Sequence, residues 1–157
     1  MEKELYSMIF KRKSFHIFRD IGNINPDELQ SIEEKYNNLT PLINGIQTAI
    51  RIVPADQTTC RRGQEYCILL YSEKKDNYLQ NIGYIGEQLD LYLASLGIGA
   101  LWFGIGKVVV VDSCVVYNLR QFFVVWRHHQ CKVSHGIGFV AVSDATIGID
   151  CLRHCAS

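Results

Sequence analysis

Net charge is the first thing the chain lacks. Its 157 residues carry 16 Lys+Arg against 16 Asp+Glu, which removes the global case for a nucleic-acid or anionic-membrane partner, although a local basic patch survives such balance. No apolar run reaches the roughly 18 residues that a membrane span needs. Met1-Glu2-Lys3-Glu4 has no basic flank leading into an apolar stretch, so no signal peptide is expected. Proline is scarce, at 3 residues, and no internal repeat or low-complexity tract occurs. What is present is a 48% hydrophobic content, too high for disorder, in a length that suits one domain. Such a domain needs no disulfide or metal staple. A cytoplasmic protein with reduced cysteines is expected.

A second set of absences divides the chain. Residues 1–106 contain a single valine, Val53, whereas residues 107–157 contain eleven and have neither Glu nor Pro. Four of the five His and four of the six Cys lie in that latter segment. The expectation is one domain over 1–157 with a core at 1–107 and an atypical tail at 108–157. Either a divergent C-terminus or a shifted reading frame accounts for the break.

Within the core, Leu5, Met8 and Ile9 fall on one face of a short helix starting near Glu2. Asn25-Pro26-Asp27-Glu28 is a helix start, with a side-chain cap, a first-turn proline and acids. Ile46 to Val53 reads as a strand and Pro54 to Glu65 as a polar loop. Tyr66 to Ser72 reads as a buried strand, and Asn77 to Leu96 as a long helix with Ile82, Ile85, Leu89, Leu93 and Leu96 at helical spacing. Gly97 sits at its left-handed cap, and Gly99 to Phe103 is another strand. In the tail, Val108–Val111, Phe122–Trp126 and Phe139–Val142 have strand-like content. The mixture favours an α+β sandwich over a doubly wound sheet.

Two stretches carry chemistry. In Phe10-Lys11-Arg12-Lys13-Ser14-Phe15-His16, a planar guanidinium, two further cations and a hydroxyl gather where a helix becomes extended. An extended chain puts positions 12, 14 and 16 on one side, an arrangement suited to phosphate. Basic residues ending a helix also simply complement its dipole. The second stretch runs from Ser72 through Gly104 and includes Gly83 and Gly86, three apart on the long helix. Glycines there permit close approach by another element, in a core helix against a sheet or in a central dimer-forming helix beneath a cofactor.

Together these stretches resemble the nitroreductase family of FMN-dependent oxidoreductases, most closely its small single-domain branch. The family's N-terminal Arg-x-Ser-x-Arg pattern appears as Arg12-Lys13-Ser14-Phe15-His16, and the longer match centres on Glu87-Gln88-Leu89-Asp90-Leu91-Tyr92 and Leu96-Gly97-Ile98-Gly99-Ala100-Leu101-Trp102. The resemblance covers about residues 3–107. It implies an α+β fold, a mixed sheet with helices and a central helix at about 77–96, and a homodimer holding FMN at its interface. Arg12 and Ser14, helped by Lys13, would hold the phosphate and ribityl chain. Leu101-Trp102-Phe103-Gly104 would run beside the flavin ring, with a backbone N–H near Phe103 at N5. NAD(P)H would be the co-substrate and a nitroaromatic or quinone the small-molecule acceptor. No catalytic side chain is named, since flavin carries the chemistry.

The chain departs from the family in two places. His16 replaces the second Arg of the pattern, and a histidine is mainly neutral at pH 7 with an ordinary pKa. The tail brings His128, His129, Cys131, His135, Cys151, His154 and Cys155, without the tight two-residue spacing of zinc knuckles. No metal site is assigned. A non-catalytic flavin binder with a degraded site is the alternative function, and a zinc-binding interaction module through the tail a further one.

Overall fold

The computed structural model describes residues 3–13, 24–103, 108, 121–127 and 136–142. Helix α1 (Lys3–Tyr6) tightens at once into a 3-10 turn over Ser7–Phe10. That change of pitch alters which side chains face inward. Three residues per turn eclipse Leu5 and Met8, so Leu5 is buried and Met8 partly so, while Ile9 turns outward. The expected shared face of Leu5, Met8 and Ile9 therefore loses its third member.

Helix α2 (Pro26–Asn37) begins as its residues dictate. The Asn25 side chain accepts a hydrogen bond from the Glu28 N–H at 2.8 Å, and the Glu28 carboxylate accepts one from the Asn25 N–H at 3.1 Å, a reciprocal capping box. Ile32 is fully buried, and the Tyr36 hydroxyl bonds the Thr48 hydroxyl at 2.7 Å, tying α2 to strand β1 (Thr48–Pro54). Burial pushes the Tyr36 phenol up to about 12 against that hydrogen bond.

Strand β2 (Tyr66–Ser72) pairs antiparallel with β1, from Thr48 opposite Ser72 to Pro54 opposite Tyr66. Cys67 through Tyr71 are all buried, because β2 is interior to the sheet and covered on a face by helix α3 (Tyr78–Ser95). Asn77 caps α3 in a left-handed conformation, φ 60°, which asparagine tolerates better than most residues. Gly97, at φ 71°, turns the chain back into strand β3 (Ile98–Phe103). Strands β4 (Gln121–Arg127) and β5 (Gly136–Val142) join β2 to β3. β4 pairs antiparallel with both, and β5 runs parallel to both. The sheet is mixed and the fold α+β. The expected strand at Val108–Val111 lies outside the described residues apart from Val108, which forms a single bridge to Thr58.

The core lies between α3, α2 and the sheet, around Ile32, Ile68, Leu70, Ile82, Leu89, Leu93 and Ile98. Two amides on α3 fasten the segment after α2. Asn81 Oδ1 accepts from the Ile43 N–H, and Gln88 Nε2 donates to the Thr40 carbonyl, each at 2.8 Å.

The two helix glycines have different surroundings. A Cβ on Gly86 would stand 2.6 Å from the Trp102 indole and 3.2 Å from Leu70, whereas one on Gly83 meets nothing within 4 Å. Gly86→Ala is expected to lower stability by about 1–3 kcal/mol through overpacking, outweighing the gain of up to about 1 kcal/mol in helix propensity. Gly83→Ala keeps that gain. Urea unfolding of both variants checks the contrast, and equal effects would refute the close Trp102 contact.

Candidate functional site

The middle of α3 brings the two chemistry-bearing stretches together. Trp102 on β3 lays its indole against Gly86. Four residues on, Asp90 faces Arg12, whose Nη1 lies 3.3 Å from Asp90 Oδ2. Positions four apart share a helix face, so the strand end and the N-terminal segment meet at neighbouring turns. Arg12 Nε also approaches Glu87 Oε1 at 3.9 Å.

The side chains are unequal in exposure. Asp90 is fully buried, Arg12 is about a quarter exposed at 26%, and Glu87 is half exposed at 50%. The Arg12–Asp90 contact is an ion pair without hydrogen-bond geometry. Arg12 Nη1 and both Asp90 oxygens have no hydrogen-bond partner among the described residues. Burial pushes the Asp90 carboxyl up to about 7; Arg12 pulls it down and Glu87 adds to the rise.

Of the residues assigned to the site by sequence, Arg12, Lys13, Leu101, Trp102 and Phe103 are described; Ser14, His16 and Gly104 lie outside the described residues. Lys13 is exposed beside Arg12. Strand alternation sends Trp102 toward α3 and Leu101 and Phe103 to the other face of the sheet. There the Arg62 guanidinium stands 5.6 Å from the Phe103 ring centroid, a cation–π distance. The three side chains thus do not form one surface.

Arg62 arrives from the segment between β1 and β2, which hydrogen bonds hold in shape. Buried Thr58 contacts Cys67 Sγ at 3.4 Å, Gln64 Nε2 donates to the Cys60 carbonyl at 2.9 Å, and Arg61 donates to the Thr58 carbonyl at 2.8 Å. Cys60 and Cys67 are buried. Burial pushes the Cys60 thiol up to about 12, away from the thiolate form that reacts. The histidines and cysteines of the tail lie outside the described residues. No helix among the described residues is long and apolar enough to cross a membrane.

Asp90, Glu87 and Arg62 have no role assigned from sequence. A signal exists for Asp90: it stands among apolar residues of the helix, between Leu89 and Leu91, where a buried carboxylate is costly unless paired. Arg62 has none, being one of two arginines in a polar loop.

The sign of the Asp90 shift sets a pH dependence. An unfolded Asp loses its proton near pH 4, whereas Asp90 in the folded chain keeps its proton to about 7. The folded state therefore binds more protons in that window, and this stabilisation is lost as pH rises from about 4 through 7. Asp90→Asn is expected to stabilise the protein at pH 8 by on the order of 3 kcal/mol relative to its effect at pH 5. Urea unfolding at the two pH values checks it; an equal effect at both would contradict the buried, elevated carboxyl.

Residues 4–120 match the family described as "Putative TM nitroreductase". No curated protein and no solved structure matches the chain. The matched span contains Arg12, the whole of α3 and β3, and runs past the change of vocabulary at residue 107. The chain, with three-quarters of its length matched, belongs to this nitroreductase family.

Proposed function

We propose that the protein is an FMN-dependent oxidoreductase that works as a homodimer. Membership of a nitroreductase family supports oxidoreductase chemistry. The observation that carries the flavin reading is the meeting of Arg12 and β3 on the Gly86–Asp90 turn of α3. The donor set suits FMN. Arg12 Nη1 is a buried donor without a hydrogen-bond partner among the described residues, and exposed Lys13 adjoins it. These two cations would hold the phosphate, joined by Ser14 and His16, while the Leu101–Gly104 backbone would lie along the ring. When bound, FMN supplies hydride exchange, from NAD(P)H to an acceptor such as a nitroaromatic or quinone.

The homodimer reading is supported by the outer face of the N-terminal segment. Tyr6, Ile9 and Phe10 are exposed there, Phe10 at 76%, and the Tyr6 and Phe10 rings meet edge to face at 5.7 Å. A clustered apolar surface of this kind marks an interaction site. A second copy buries it and brings a second N-terminal segment to the flavin site.

A second reading, a passive flavin binder, is favoured by the two carboxylates that already face Arg12. Anaerobic NADPH should bleach the yellow FMN-loaded protein, and a quinone should restore the colour; absence of bleaching favours the passive binder. Arg12→Gln should weaken FMN binding by about ten- to a hundredfold, as the loss of a charged hydrogen bond implies. Fluorescence titration measures this, and native protein that takes up no added FMN would refute the proposal. Phe10→Glu should shift the sedimentation coefficient from dimer to monomer, and an unchanged dimer would rule out this face as the interface.

A further inference from the structure

The carboxylates around Arg12 have no part in the oxidoreductase function proposed above. Asp90 is fully buried, its two oxygens accept no hydrogen bond from the described residues, and a single guanidinium faces it at 3.3 Å. Glu87, one turn earlier on the same helix, approaches the same guanidinium at 3.9 Å. Among the described residues these are the charged groups that act on Asp90: Arg12 from the N-terminal segment and Glu87 from its own helix. The guanidinium is thus already shared between two carboxylates before any anion arrives.

A phosphate brings a charge of about −1.5 to −2 at pH 7. With Asp90 and Glu87 both ionised, it would bring nearly four negative charges onto Arg12 and Lys13. Glu87 is half exposed and water can screen it. Asp90 has no such relief, and a buried carboxylate that loses its counter-ion is neutralised by a proton instead.

We infer that Asp90 is a proton-coupled counter-ion of the anion site, so that occupation of Arg12 by phosphate draws a proton onto the Asp90 carboxyl and hands the guanidinium over. The elevation of the Asp90 carboxyl to about 7 puts this exchange within the physiological range. As pH rises through that value the carboxylate reclaims Arg12, and anion affinity falls by a factor approaching ten per pH unit. The phosphate's own second ionisation, near pH 6, acts in the opposite direction and is nearly complete by pH 7. Loss of charge at His16 would act in the same direction as Asp90, so the test must separate the two.

The inference rests on the reading of Arg12 as a phosphate ligand. Dissociation constants of the full chain for FMN and for riboflavin, which lacks the phosphate, are measured from pH 6 to 9. The native protein should lose about tenfold or more in FMN affinity between pH 7 and 8.5, with riboflavin unaffected. Asp90→Asn should hold FMN at a nearly constant affinity close to the native value at pH 6. Identical profiles for native protein and variant would overturn the inference. Should the variant not fold, calorimetry of native protein and His16→Gln at pH 7.5, in buffers of different ionisation heat, reads the proton directly. Uptake of about half a proton or more per FMN in both proteins is expected, and no uptake overturns the inference. Arg12→Gln separates the two failures. If it leaves FMN binding intact, the phosphate reading itself is wrong; if it weakens binding while the pH profile stays flat, only the coupling is wrong.

Discussion

The seating of the Trp102 indole against bare backbone at Gly86 is the contact on which the site depends. It sets how closely α3 approaches β3, because no side chain separates the strand from the helix at that turn. The next turn of α3, including Leu89 and Asp90, is buried as well. For Leu89 this burial is favourable, worth about 1.5–3 kcal/mol for a side chain of its size. For Asp90 it is costly. Close helix–sheet packing and the electrostatic tension at Asp90 therefore lie on adjacent turns of one helix.

That tension decides how Arg12 behaves. An exposed ion pair is worth at most about 1 kcal/mol, and removing a charge from water costs several. Attraction offsets that cost only with good geometry and hydrogen bonds to the remaining lone pairs. The Arg12–Asp90 pair has contact distance but no hydrogen bond. Desolvation consequently outweighs attraction, which is why burial dominates the Asp90 shift although a guanidinium stands beside it. A pair held this loosely is poorly suited to a purely structural role, since apolar residues of similar volume would pack at least as well.

The parts legible in sequence are those fixed by local rules. The α2 start follows from Asn25, Pro26 and Glu28 alone, and Gly97 turns the chain after α3 as a left-handed cap requires. Tyr66–Ser72 is readable as a strand because polar residues bound its apolar run. Non-local facts are not readable in this way. Arg62 reaches Phe103 from a segment some forty residues earlier, and periodicity carries no such information. The outward turn of Ile9 escapes sequence for a related reason: a 3.6-residue template does not apply where the chain tightens into a 3-10 turn. Asp90 stands inside the family-like motif on α3, yet the guanidinium that faces it comes from Arg12, seventy-eight residues earlier and on a different segment.

The segment between β1 and β2 shows how the fold joins the opposite face of β3 to the same site. Its backbone is held by buried Thr58 and Gln64 and by Arg61, which spends its guanidinium on main-chain carbonyls. With Arg61 held on main-chain carbonyls, its neighbour Arg62 lies over Phe103. Val108 bridges to Thr58, so the chain beyond β3 returns to this segment within five residues of Phe103. The end of β3 is thereby enclosed from two sides, by α3 against Trp102 and by the β1–β2 segment against Phe103. Side chains on both faces of the strand are engaged in packing, so under the flavin reading proposed above the backbone at its C-terminal end is the part that would face the ring. The match to the nitroreductase family runs through Val108 to residue 120, so this enclosure falls within the family's own span. The unusual vocabulary of the tail therefore begins inside that span and does not mark its end.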